Sequence, residues 1–95
     1  MYRILIVEDE QTIARAVAEE LSRWGLESRC VENFRDVMVD FQAFQPQLVL
    51  LDIMLPFFNG YHWCNEIRKC SNAPIIFLSS ASDNMNIVMA MNMGG

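Results

Sequence analysis

The segment "LVLLDIMLPFFNG", Leu48 to Gly60, sets four consecutive apolar residues directly against an aspartate, Asp52. A short unbroken apolar run marks a strand buried on both faces of a sheet. Asp52 then stands at the C-terminal end of that strand, on the border of the core. Burying even a neutral polar group without a partner costs roughly 2–7 kcal/mol. The fold must supply something that stabilises this carboxylate, or chemistry that uses it.

Two other segments have the same form. "RILIV" (Arg3–Val7) runs into Glu8, Asp9 and Glu10, and "IIFL" (Ile75–Leu78), opened by Pro74, runs into Ser79 and Ser80. Between the strands, helical periodicity appears. From Thr12, the apolar residues Ile13, Ala14, Ala16, Val17, Leu21 and Trp24 form one face, and Gly25 is placed to end the helix. "LESRCV" (Leu26–Val31) alternates weakly and reads as a second strand. Asn33 predicts the N-cap of a second helix with Phe34, Val37, Met38, Phe41 and Phe44 on its apolar face, stopped by Pro46. Asn59-Gly60 predicts a turn with positive φ. A helix then runs to about Lys69 with Trp63, Cys64 and Ile67 facing inward. A last helical pattern covers Asp83 to Met93, its methionines suited to core filling or to an adaptable interface. The order βαβαβαβα predicts an α/β fold, a doubly wound parallel sheet between two helical layers.

The totals set bounds on function. At 95 residues and 53% hydrophobic, the chain has the size and apolar content of one domain with a packed core. A formal net charge of -5 argues against a basic nucleic-acid-binding face. The three cysteines, Cys30, Cys64 and Cys70, match no zinc spacing and read as free buried thiols in a reducing compartment. No apolar run approaches the ~18–20 residues that span a bilayer. "MYRILIVEDE" lacks the form of a signal peptide, so a cytoplasmic chain with no membrane partner is expected. The single histidine, His62, reads as a solvated residue, and Phe57-Phe58 as loop packing ahead of a partner-facing apolar loop.

In a parallel sheet the C-terminal strand ends share one edge, where function collects. If strands one, three and four are neighbours, Glu8, Asp9, Asp52 and Ser79 converge there. Unit charges about 4 Å apart repel by roughly 4 kcal/mol at an effective dielectric near 20. A divalent cation offsets this, and an all-oxygen ligand set points to Mg²⁺ or Mn²⁺. Asp52 is then a candidate nucleophile towards a phosphoryl group, with the Ser79 hydroxyl placed to donate a hydrogen bond to the product. Each feature alone has an ordinary explanation: acids favour helix N-termini, and Asp or Ser often begins a loop. Their recurrence at the ends of the three most apolar strands weakens those explanations jointly.

These motifs resemble the receiver domain of bacterial two-component response regulators. "ILIVEDE", "LVLLDIMLPFFNG" and "PIIFLSSASD" match in order and spacing, most specifically in Asp52, Pro56 and Gly60. The likeness spans Arg3 to Gly95, and "FLSSASDN" with "WC" resembles the subgroup responding to envelope stress and antimicrobial peptides. The resemblance implies a flavodoxin-like sheet of order 2-1-3-4, with the fifth strand and fifth helix absent from this chain. It implies Asp52 as phosphoacceptor, and Glu8, Asp9, Asp52 and the Met54 backbone carbonyl around Mg²⁺, with Glu8 acting through water. Ser79 matches the hydroxyl residue that moves towards the phosphate. A sensor histidine kinase is the implied donor, and DNA is reached only through a C-terminal domain that is absent here. The family's phosphate-contacting Lys is also beyond this sequence, which therefore reads as a receiver, residues 1–95, incomplete at its C-terminus. An uncovered fourth strand would then favour a homodimer or a domain-swapped association.

Three alternatives use related chemistry. A Mg²⁺-dependent phosphatase with an aspartate nucleophile needs a second carboxylate two residues on, where this chain has Met54. A flavodoxin-like cofactor binder needs an anion-cradling loop after strand one, where Glu8-Asp9-Glu10 has the wrong sign. A receiver-like interaction module that no longer takes phosphate is compatible with the missing Lys.

Overall fold

In the computed structural model, which describes residues 2–78, the apolar runs are strands of one parallel sheet. The elements are β1 (Arg3–Val7), α1 (Gln11–Arg23), β2 (Glu27–Cys30), α2 (Val37–Phe44), β3 (Leu48–Asp52), α3 (Gly60–Arg68) and β4 (Ile75–Leu78). The sheet order is β2-β1-β3-β4, as the resemblance implies. Ser79 and the predicted helix over 83–93 lie outside the described residues.

The sheet has two covered faces. Leu5, Val7, Val31, Val49, Leu51, Ile75 and Phe77 point to the side of α2 and α3, where they pack with Val37, Phe41, Trp63, Cys64 and Ile67. Alternate residues point the other way, and α1 lies there, its Ala14 carbonyl accepting a weak bond from Cys30 Sγ at 3.9 Å. β1 is buried from Ile4 through Val7, as a central parallel strand should be.

Helix ends follow local chemistry. α1 closes in a Schellman motif: Gly25 takes φ +76, Gly25 N–H donates to Ser22 and Leu26 N–H to Leu21. α2 closes on Gln45, a non-glycine residue at φ 55. Arg3 secures that end: its Nε donates to the carbonyls of Phe44 and Gln45, both at 3.0 Å, and its Nη2 to Gln45 at 2.8 Å. The first residue of β1 thereby satisfies carbonyls that the end of α2 leaves open.

Two local expectations fail. Asn33 does not cap α2, because its Oδ1 accepts from the Arg35 N–H at 3.0 Å in a local turn. The helix starts only after Asp36, whose φ of -149 is far from helical. Asn59-Gly60 is not a positive-φ turn either. Asn59 is the N-cap of α3, extended at φ -73 and ψ 174, with its Oδ1 accepting from the His62 N–H at 3.0 Å. Of the three thiols only Cys64 is buried; Cys30 is half-buried and Cys70 exposed.

Candidate functional site

Strand register alone brings two of the acids together. Val7 pairs with Leu51, so Glu8 leaves β1 beside Asp52 at the end of β3, and Asp52 in turn pairs with Leu78 of β4. Asp9 follows Glu8 on the loop to α1. Carboxylate oxygens of Glu8, Asp9 and Asp52 lie within 4.8 Å of one another. Asp52 is 0% exposed and Glu8 3%, while Asp9 faces solvent. The three acids predicted to converge therefore do so, with two beneath the surface and one at its rim.

The electrostatics are those of a site short of positive charge. Burial pushes the Glu8 carboxyl up to about 7; the nearby Asp52 and Asp9 add to this, against the Glu10 N–H. Glu8 Oε2 accepts from that N–H at 3.0 Å. Oε1 is buried with no donor to satisfy it among the described residues. A proton on Glu8, bonded to Asp52, resolves this arrangement, and so does a cation. The donor set is oxygen only, partly exposed through Asp9, and suits a hard divalent ion that keeps water ligands.

The loop after β3 is built around Asp52. The Met54 N–H donates to Asp52 Oδ1 at 3.3 Å, which holds the Met54 peptide at the acid cluster while its side chain stays 65% exposed. Ile53 and Leu55 pack on the core and anchor the loop from beneath. Phe57 then takes φ 68, and Phe58 N–H donates to the Pro56 carbonyl at 2.8 Å across it, a γ-turn of the strained hand. Gly60 closes the loop: its N–H donates to Ile53 at 2.9 Å.

The aromatic residues of this loop pack within the loop and against its neighbours. Phe57 and Phe58 stay 59% and 44% exposed, so their contacts are local rather than in the core. Phe58 stacks on His62 with ring centroids 4.4 Å apart, and His62 is half-buried rather than solvated. The Arg35 guanidinium sits 4.2 Å from the Phe57 ring centroid. No spacing rule links Arg35 to Phe57, so this contact is invisible before folding. Gly60 was legible as a motif residue, but its reason is close approach to Asp52 rather than a turn.

A cavity of about 560 Å³ lies beside the acids, between α1 and the end of β2. Glu8, Asp9, Arg15, Cys30, Glu32 and Phe34 are among its lining residues.

The fold and the acid cluster define a class of protein, and comparison with known sequences agrees. The family model for the response regulator receiver domain matches residues 4–95, and the chain belongs to that family. It is 50% identical over 95 residues to YvcP of Bacillus subtilis, an uncharacterized transcriptional regulatory protein. That match covers 100% of this chain and 40% of YvcP, so the chain spans about two-fifths of the length of such curated relatives. Among solved structures, the N-terminal domain of the nisin resistance regulator NsrR, a lantibiotic response regulator, is 49% identical with a TM-score of 0.81. It aligns with 100% of this chain and 80% of that one. The response regulator TrrA of Thermotoga maritima, in complex with Mg(2+)-BeF, is 32% identical with a TM-score of 0.79, covering 99% of this chain and 91% of TrrA. TrrA also appears in complex with the histidine kinase ThkA, at 37% identity and a TM-score of 0.77 over 90% of this chain and 75% of that one. Among the described residues, no helix is long and apolar enough to cross a membrane.

Proposed function

We propose that this chain is the phosphoacceptor domain of a two-component regulator and takes a phosphoryl group onto Asp52 from a phosphohistidine of a sensor histidine kinase. In that transfer an Asp52 carboxylate oxygen bonds to phosphorus as the phosphorus–nitrogen bond to the imidazole breaks. The bond pair leaves with the imidazole nitrogen. The convergence of three carboxylates within 4.8 Å, with Asp52 fully buried at the end of β3, carries the proposal.

Asp9, Asp52, Glu8 through water and the Met54 carbonyl would hold Mg²⁺ or Mn²⁺. The ion would supply positive charge to offset the acids and the transferring group. The chain's own residues do the positioning. The Met54 N–H orients the Asp52 carboxylate, and the Glu10 N–H fixes that of Glu8. The Ser79 hydroxyl, next in sequence after the residue paired with Asp52, would donate to the bound phosphoryl group. Two relatives support the wider setting: TrrA, bound to a histidine kinase, and NsrR, a lantibiotic response regulator. On that basis residues 1–95 act in the cytoplasm, within a longer transcriptional regulator of the antimicrobial-peptide subgroup.

Incubation with Mg²⁺ and acetyl phosphate, or with an autophosphorylated histidine kinase, tests this by intact mass. The wild type should gain one phosphoryl group and Asp52→Asn none. Labelling of both proteins alike, or of neither, would overturn the assignment.

A further inference from the structure

We infer that Arg35 and Phe57 form a clasp between two loops, and that this clasp positions the Met54 peptide at the acid cluster. The inference rests on the receiver reading of that cluster and adds to it a pair of positioning residues outside the metal-ligand set.

The β3–α3 loop contains a conformation that needs an explanation. Phe57, a bulky residue with a β-carbon, adopts φ 68 at the centre of a strained γ-turn. Such a conformation persists where the surroundings over-determine it. Core burial does not hold it, because the Phe57 side chain is 59% exposed. Glycine, which adopts positive φ without penalty, is three residues away at Gly60 and is not used here. The contact the structure gives the ring is the Arg35 guanidinium, 4.2 Å from its centroid. That is within the range of a cation–π attraction.

Arg35 is itself held. It lies in the β2–α2 loop, where Asn33 Oδ1 accepts its N–H at 3.0 Å and Asp36 N–H donates to the Asn33 carbonyl at 3.3 Å. The preceding residue, Phe34, lines the cavity shared with Glu8 and Asp9. The contact therefore joins a braced loop on one side of the site to the strained loop on the other. The Ile53 and Leu55 side chains pack on the core at the near end of the strained loop, and Asn59 caps α3 at its far end. The clasp fixes the turn over Phe57 between them, and through it the direction in which the main chain leaves Met54.

The test compares Arg35→Gln, Phe57→Leu, the double substitution and Phe57→Tyr. Amide hydrogen exchange is measured without metal, and Mg²⁺ binding by calorimetry. Arg35→Gln and Phe57→Leu should each quicken exchange at Met54 and Phe58 and weaken Mg²⁺ binding by about two- to fivefold. The strand amides of Leu5 and Leu51 should keep wild-type rates. The double substitution should be no worse than the worse single one, and Phe57→Tyr should restore both readouts. Equal quickening in the strands, additive losses or unchanged Met54 exchange would each overturn the clasp. Mg²⁺ binding unaffected by Asp9→Asn and Asp52→Asn would overturn the receiver reading instead, while the metal-free exchange still judges the clasp.

Discussion

Gly60 is seated against the main chain of Asp52. A Cβ at Gly60 would overlap the Asp52 carbonyl oxygen and come within 3.0 Å of Ile53 Cα. The neighbour is backbone of a buried strand, which cannot swing aside as a flexible side chain can. The start of α3 thus closes directly over the end of β3, and the acid beneath is sealed from one side.

Gly60→Ala should therefore cost about 1–3 kcal/mol of stability, the range for overpacking a tight site. Urea denaturation measures this. It should also slow phosphorylation of Asp52, since relief of the overlap moves the strand end. A midpoint equal to that of the wild type would show that α3 shifts freely.

Metal-free stability should depend on pH through Glu8. Its carboxyl is raised from an ordinary value of 4.5 to about 7 in the folded chain. The folded state thus holds a proton that the unfolded state has lost. The sign follows: this contribution is fully present below about pH 4.5, and it falls away as pH rises towards 7. The swing is on the order of 3 kcal/mol, given 1.36 kcal/mol per unit. Mg²⁺ replaces the proton, so it should raise the melting temperature more at pH 8 than at pH 5, as calorimetry can show. An equal rise at both would separate Glu8 from the metal.

At the opposite end of the sheet, Arg3 and Gln45 make a paired prediction. Arg3→Met keeps the aliphatic stem and loses three hydrogen bonds to the end of α2. A loss of about 1–3 kcal/mol is expected, because carbonyls at that end lose their donors. Gln45→Gly should stabilise by up to about 1–2 kcal/mol by relieving the left-handed backbone at φ 55. Thermal melts of the two variants should move in opposite directions.

The two asparagines should behave differently. Asn59→Ala removes the cap of α3 and should cost about 1 kcal/mol. Asn33→Ala removes a turn bond that caps no helix, and its cost in chemical denaturation should be under half that. Equal losses would show that the Asn33 turn supports the fold as strongly as a cap does.

Most of the scaffold was legible because burial on two faces writes itself as unbroken apolar runs. Arg3–Val7, Leu48–Leu51 and Ile75–Leu78 needed no further information, and the meeting of the acids that follow the first two came from parallel order. What escaped was chemistry dependent on a partner distant in sequence or on competition between nearby bonds. Asn33 had the composition of a cap, but its side chain took the Arg35 N–H first. Asn59-Gly60 had the composition of a turn, yet the glycine answers to a carbonyl eight positions earlier. Phe57 read as packing material because nothing in its neighbourhood of sequence reveals a guanidinium 22 positions away.

The two tryptophans sit in opposite surroundings. Trp24, after the last turn of α1, is 73% exposed, whereas Trp63 is 4% exposed and meets the rings of Phe58 and His62 edge-on. The molecule therefore carries two separable optical reporters. Dissolved iodide should dim the redder emission of Trp24, leaving Trp63 as a native fluorescent gauge of the loop that follows Asp52, with no dye attached.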